Sequence, residues 1–330
     1  MKKILIITDN LQDQVNGVVT TYKNLAKVAY NDNYLISYID PSNFYYINCP
    51  GYSEIKLALP TNIGKLITSI DADYYHIATE GPVGLSARGY LTSKNIKYNT
   101  SYHTRFPEAI KTLANIPESL TWRYIRWFHK HSGRCLTTTR SVASELESHG
   151  IESVVCWTRG VDTSLFNPKP LKPKNLKTLL CVSRVSREKN LEDFCKLQIE
   201  GTRKVLVGDG PHLNYLRQYY QDVEYTGMKH GTELASYYQQ ADVFVFPSRW
   251  DTFGIVMLEA IACGTPIAAY PCNGPLDVVE CKVNGYLNNN LTEAINSCLT
   301  LNRETVYLSS QRWTWQNCWD IFKSNLVEPT

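Results

Sequence analysis

The chain has 330 residues, which at ~150 residues per domain predicts two domains, each large enough to bury a core of its own. Hydrophobic residues make up 43% and charged residues 20%, which excludes a disordered, collagen-like or coiled-coil chain. Lys and Arg number 34 against 31 Asp and Glu, a net charge of +3 that gives no support to a nucleic-acid binder. In chain order, KILIITD opens as a strand. Its apolar run breaks at Thr8 and Asp9, too soon for the h-region of a secretory signal. A helix is predicted over 17–30, then strands at YLISYID, YYHIATE, KYNTSYH, CLTTT and SVVCW. Residues 167–175, NPKPLKPKN, carry three prolines and three lysines and read as a linker. Beyond it come strands at TLLCVS, KVLVG, VEYTG, VFVFPS and PIAAY, with a helix over 252–263. Such alternation predicts parallel sheets covered on both faces. The expected architecture is α/β, with two Rossmann-like domains over 1–166 and 176–310 whose binding loops face one cleft. No apolar run reaches the ~18 residues of a membrane-spanning helix. The ten cysteines are scattered singly with no CxxC pair, as in a reduced cytoplasmic chain.

The most informative segment spans 241–270, ADVFVFPSRWDTFGIVMLEAIACGTPIAAY. A buried strand ends at Pro247 and Ser248, and a helix is expected to begin near Thr252 or Phe253 with Asp251 as its N-cap. Glu259 lies eight residues beyond Asp251, and Gly254 permits close approach of a ligand to the backbone. The free N–H groups and positive dipole end of such a helix suit a phosphate. Taken alone, the segment reads equally as an ordinary capped helix with a surface Glu.

An acidic residue, seven residues and a Glu, set in TFGIVMLEAIACGTP, resemble the signature of retaining glycosyltransferases of the GT-B fold, in particular glycosyltransferase family 4. NGVVTTY, TEGPVGLSARGY, SYHTRFPEAI, TRGVDTSLFNP, VSRVSREKN, VGDGP and YTGMKHGTELASYYQQADVFVFPS resemble further segments of that family in the same order. The likeness thus covers nearly the whole chain and is nearest in flavour to mannosyl- and sulfoquinovosyl-type transferases. Three positions depart from the pattern. Asp251 stands where Glu is usual, Val15-Asn16-Gly17 replaces two adjacent glycines, and Tyr22 stands where Arg is common. The resemblance also implies a last helical segment over 311–330 that crosses back to the first domain, with Trp313, Trp315 and Trp319 as interdomain packing.

Residue by residue, the resemblance implies that Arg184 and Lys189 contact the donor diphosphate. Arg supplies a fork and Lys a point charge where negative charge develops on the leaving group. Asp251 is expected to bind hydroxyls of the donor sugar and Glu259 the nucleotide ribose. Gly254, Ile255 and Val256 would offer backbone N–H groups, Met228 and Lys229 would meet the base, and Gly17 and Phe253 complete the donor set. His103 is expected to contact the donor sugar near the reacting centre, although a lone His at a strand end also reads as a satisfied structural group. Glu80 would touch acceptor hydroxyls or cap the helix that follows it. Arg105 would recognise an anionic acceptor or order its loop.

Two motifs are set aside. Asp71-Ala72-Asp73 precedes a strand, at the wrong end for a metal at the cleft, so no metal cofactor is expected. Gly208-Asp209-Gly210 lacks the Lys-Ser/Thr of a P-loop. Arg123, Arg126, Lys130 and Arg134 fall at helical spacing among Trp122, Ile125, Trp127 and Phe128. They read as a solvated face or as contact with an anionic acceptor or membrane surface. The resemblance therefore implies transfer of a hexose, with retention, from a GDP-mannose-like or UDP-sugar donor to a lipid-linked or saccharide acceptor. The setting would be the cytoplasm, with peripheral contact at the inner face of the membrane. No nucleophile for a covalent intermediate is evident opposite the sugar, and the resemblance implies attack from the leaving-group face, with the leaving diphosphate assisting deprotonation of the acceptor. Two alternatives are a sugar-nucleotide epimerase of the same fold, which the acidic pair argues against, and a non-catalytic sugar-nucleotide-binding protein.

Overall fold

The first sheet comprises β1 (Lys2–Ile7), β2 (Tyr34–Ile39), β5 (Tyr74–Ile77), β6 (Asn99–Tyr102), β7 (Cys135–Thr137) and β8 (Val154–Cys156), in the order β2-β1-β5-β6-β7-β8. The second comprises β9 (Lys177–Val182), β10 (Thr202–Val207), β11 (Val223–Gly227), β12 (Val243–Phe246), β13 (Ile267–Ala269) and β14 (Gly285–Leu287), in the order β11-β10-β9-β12-β13-β14. All of these pair in parallel. The computed structural model describes residues 1–14, 16–49, 52–103, 116–249, 251 and 253–330, with the backbone alone for 52–55. The central strands YYHI of β5 and VFVF of β12 are buried at every position, as parallel strands covered on both faces must be.

Each strand expected from the sequence forms. Three others were not expected. β3 (Tyr45–Cys49) and β4 (Tyr52–Leu59) make a separate antiparallel ribbon, and β14 is three residues long. β3 has no fully buried position, so it lacks the apolar run that marks a central strand.

The chain forms two compact units, residues 1–159 with 315–330, and residues 160–314. The boundary thus lies earlier than the expected 166. The backbone N–H of Val161 donates to the Trp313 carbonyl at 3.0 Å, and Val161 and Phe166 are buried in the core of the second unit. The proline-rich segment 167–175 belongs to that unit too. Lys172 N–H donates to Gln240 Oε1 at 2.9 Å, and Lys174 Nζ pairs with Asp242 at 2.5 Å. It is therefore fastened along one unit and does not span the space between two.

The last helix, Trp315–Ser324, belongs to the first unit. Cys318, Trp319 and Phe322 are buried there with Tyr22 and Trp157, and Trp157 Nε1 donates to the Cys318 carbonyl at 2.9 Å. Trp313 corrects the expectation of interdomain packing, because it lies in the second unit's core edge-to-face with Phe253. The basic residues 123–134 do not share one helix. The helix Glu118–His129 buries Ile125 and Phe128 and exposes Arg123 and Arg126, but it ends before Lys130, and Arg134 stands just ahead of β7. No helix among the described residues is long and apolar enough to cross a membrane.

Candidate functional site

Numbered by chain order within its own sheet, the second sheet runs 3-2-1-4-5-6, so its order reverses between β9 and β12. A crevice opens beyond the carboxyl ends of strands at such a switch point. The loop after β9 carries Arg184 and Lys189, and the loop after β12 carries Asp251. Topology alone therefore brings these residues together. Lys189 closes the short turn Arg187–Lys189, and its Nζ donates to Asp251 Oδ1 at 2.5 Å. Asp251 Oδ2 is buried with no hydrogen-bond partner. Arg184 is exposed on the same loop.

The Arg184 loop is held from below by the glycine loop after β10. Val185 N–H donates to the Asp209 carbonyl at 2.9 Å, and His212 N–H donates to the Val185 carbonyl at 3.0 Å. Gly208 and Gly210 have φ of +144° and +155°, and a Cβ at either would collide with the carbonyl oxygens of Ser183 and Val185. The glycines once set aside as a false P-loop thus let the backbone of the cationic loop come close.

The helix after β12 runs Ile255–Ala262, with Gly254 as N-cap at φ +84°. This corrects the expectation that Asp251 caps it. Asp251 lies three residues ahead, free of the helix and turned to Lys189; Thr252 lies outside the described residues. The first-turn N–H groups of Ile255 and Val256 have no intrahelical acceptor and remain for a ligand. Phe253 is buried, its ring centroid 5.7 Å from that of Trp313, so its side chain anchors the loop and only its main chain is left for a donor. Glu259 follows on the first turns of the helix. Burial lifts its carboxyl to about 7, against the opposing effect of Tyr238, whose hydroxyl donates to Oε2 at 2.7 Å. Tyr238 was not singled out in the sequence, because it sits 21 residues away inside an ordinary helical run. After β11, Met228 is exposed, while Lys229 Nζ pairs with Glu233 Oε1 at 2.5 Å.

The first sheet also reverses, between β1 and β5, but its edge is differently built. Asp9 after β1 accepts from Thr79 Oγ1 at 2.6 Å and from Val83 N–H at 2.7 Å, capping the helix Pro82–Ser93. Burial lifts the Asp9 carboxyl to about 6 despite those donors. A Cβ at Gly81 would run into that carboxylate, which explains the glycine. Capping therefore falls to Asp9 and not to Glu80. Glu80 is 5% exposed and pairs through Oε1 with His129 Nε2 at 3.5 Å. Burial alone would lower the His129 pKa, but Cys135 and Glu80 outweigh it and push it up to about 10. The Glu80 carboxylate thus faces His129 inside the unit, and its buried Oε1 has no hydrogen-bond partner.

His103 follows β6. Its Nδ1 lies 2.9 Å from Nη2 of Arg159 and its Nε2 lies 3.0 Å from the Tyr22 hydroxyl. The same hydroxyl lies 2.8 Å from His76 Nε2. Burial first, then Arg159 and His76, hold the His103 imidazole well below the usual range, so the ring is neutral. With both ring nitrogens held by protein groups, His103 is not an open acid or base. Gly17 opens the helix Gly17–Asn31 behind the Asn16 cap. Arg105 lies outside the described residues. Asp73 stands at the amino end of β5, where Oδ2 accepts from Lys3 N–H at 2.7 Å, and Asp71 ends the preceding helix at φ 49°.

Two family models together match residues 15–307. "Glycosyltransferase Family 4" matches residues 15–165, and "Glycosyl transferases group 1" matches 162–307. A GDP-mannose-dependent alpha-mannosyltransferase of Corynebacterium glutamicum is 28% identical over 73% of this chain and 61% of its own length. A sulfoquinovosyl transferase of Arabidopsis thaliana is 27% identical over 79% of this chain and 54% of its own. The chain thus spans little more than half the length of these relatives. Among solved structures, sucrose-phosphate synthase from Thermosynechococcus elongatus superposes with a TM-score of 0.79 at 17% identity, covering 98% of both chains, which is a likeness of fold.

Proposed function

Since the chain belongs to glycosyltransferase family 4, of the GT-B fold, we propose that it transfers a hexosyl group from a nucleotide-sugar donor to a lipid-linked or saccharide acceptor, with retention and without a metal. The observation that carries this reading is the meeting of Lys189 and Asp251 at the second sheet's switch point, with Arg184 and Glu259 on the two flanking segments. Cleaving the sugar–phosphate bond builds charge on the leaving diphosphate. Arg184, Lys189 and the helix end at Ile255 and Val256 supply fixed positive charge there. Asp251 Oδ2, buried and unpartnered, is offered to a donor-sugar hydroxyl, and Glu259 to the ribose. The leaving diphosphate takes the acceptor proton, since His103 is neutral and occupied. GDP-mannose and UDP-hexoses are the donors favoured by the resemblance and the relatives. Arg123 and Arg126 give the first unit a modest attraction to anionic lipid.

The test incubates the protein with a panel of labelled nucleotide sugars, with and without excess EDTA. Slow hydrolysis or transfer with anomeric retention, unchanged by EDTA, supports the reading. An isomerised donor would instead make it an epimerase, and binding without turnover a sugar-nucleotide-binding module. Activity lost in EDTA and restored by Mg²⁺ or Mn²⁺ would overturn metal independence. Salt-insensitive or absent binding to anionic vesicles would remove the membrane contact.

A further inference from the structure

Arg159 is 3% exposed, and no carboxylate among the described residues touches it. Its Nη1 donates to the carbonyls of Trp157 and Thr158, each at 2.9 Å, and its guanidinium lies 4.4 Å from the centroid of the Trp157 ring. Its Nη2 is 2.9 Å from Nδ1 of His103. A guanidinium has donors only, so Nδ1 must present its lone pair and the imidazole proton must sit on Nε2. The Tyr22 hydroxyl, 3.0 Å from Nε2, then accepts that proton's hydrogen bond. Tyr22 passes its own proton on, to His76 Nε2 at 2.8 Å or to Ser101 Oγ at 3.3 Å. One cation thus sets the proton order of a chain of four side chains.

The geometry points to Arg159 as a positioning residue for the transfer. It locks His103 as the neutral Nε2–H tautomer with a single ring orientation, at the point where the chain leaves β6. A second positive charge on the ring would set an Nδ1–H donor against the guanidinium's own donors, in a buried place where like charges repel strongly. The groups facing the ring are Arg159 after β8, Tyr22 from the helix Gly17–Asn31 and His76 from β5, with Cys318 of the last helix beside Arg159. None of them is an acid that would favour the charged form. Without Arg159, the imidazole is free to exchange tautomers, while burial and His76 still hold it in the neutral form. The kinetic part of this inference rests on the transferase reading, and the tautomer part does not.

The test labels the histidines of the full chain with ¹⁵N, assigns His103 by comparison with His103→Gln, and follows both ring nitrogens by long-range ¹H–¹⁵N spectra from pH 5.5 to 8. The expected wild-type result is a protonated Nε2, a bare Nδ1 and no titration. Tyr22→Phe should keep that tautomer, whereas Arg159→Met should mix the tautomers. A protonated Nδ1 in the wild type, titration in the wild type, or an unchanged spectrum in Arg159→Met would each overturn the proposal. If the Met variant does not fold, Arg159→Gln replaces it. A glutamine amide can donate or accept, so it no longer dictates which ring nitrogen carries the proton, and an unchanged spectrum would again be fatal. With an active donor, Arg159→Met should lower kcat by on the order of tenfold at little change in donor KM. A loss of kcat with the tautomer unchanged would mean a merely structural arginine. A wild type that turns over no nucleotide sugar sinks the transferase reading and leaves the spectra to decide the tautomer.

Discussion

The two sheets solve the same topological problem and treat charge in opposite ways. At the carboxyl edge of the second sheet, Lys189 and Asp251 form a half-exposed pair, Arg184 is exposed, and Asp251 keeps one oxygen unmatched. At the corresponding edge of the first sheet, Asp9, His103 and Arg159 find hydrogen-bond partners within their own unit, and Glu80 faces His129 at 3.5 Å. A charge that must meet a ligand is left incompletely paired, at a cost in stability. A charge paired in a buried place shapes the backbone and is expensive to disturb. On this reading the second unit binds the reactive group of the donor, and the first holds a rigid wall.

The comparison can be broken from either side. The largest expected effect is on the first edge, where Glu80→Gln leaves His129 buried without its counter-charge and should cost about 3–5 kcal/mol of stability. His129 is raised above its unfolded value near 6.5, so its contribution is fully present below that pH and is lost as pH rises toward about 10. Denaturant unfolding between pH 7 and 10 should show this slope in the wild type and a shallower one in Glu80→Gln, where Cys135 still acts on the ring; equal stability in both would make the pair ornamental. On the second edge, Lys189→Ala should leave the fold intact and remove about 2–4 kcal/mol of transition-state stabilisation, read as kcat/KM for the donor. Wild-type turnover there would move the diphosphate elsewhere. Glu259→Gln should weaken donor binding by about 1.5–3 kcal/mol in calorimetry. Because the Glu259 carboxyl sits at about 7, it is mostly protonated at pH 6. Wild-type affinity should therefore fall between pH 8 and 6, while the Gln variant lacks that component. Smallest of all, Asp251→Glu should stay within about 1 kcal/mol of wild type, because it keeps the carboxylate that Lys189 meets, whereas Asp251→Ala is damaging. Indistinguishable kinetics for the Ala variant would reduce Asp251 to a loop residue.

Much of the second edge was legible because its residues lie in short linear motifs. Arg184 and Lys189 are five apart and Asp251 and Glu259 eight apart, each beside a strong apolar strand. What the sequence hid is long-range pairing. Nothing local to Arg159 announces that it will meet His103, 56 residues away, or that Tyr22 will close the other side of the ring at a separation of 81. Glu80 read as an acceptor contact or a helix cap, and its approach to His129 stayed hidden because His129 lies at the far end of another helix. The error over Asp251 was of a different kind. An acidic residue ahead of an apolar run looks like a cap, but Gly254 adopts a left-handed conformation and takes the cap itself. β3 escaped notice because a strand with no fully buried position has no burial to imprint a pattern.

The chain leaves the first unit after Arg159 and re-enters it at Trp315, so the second unit is an insertion within the first. During synthesis on the ribosome, the second unit is complete before Cys318, Trp319 and Phe322 exist to cover Tyr22 and Trp157. The amino-terminal half must therefore wait, with part of its core uncovered, for a segment made about 155 residues later. That interval is a window for chaperone capture or aggregation of a half-made protein. It also couples the two units in inheritance, because a gene fusion or truncation that spares the whole donor half can still leave the other half unable to close its core.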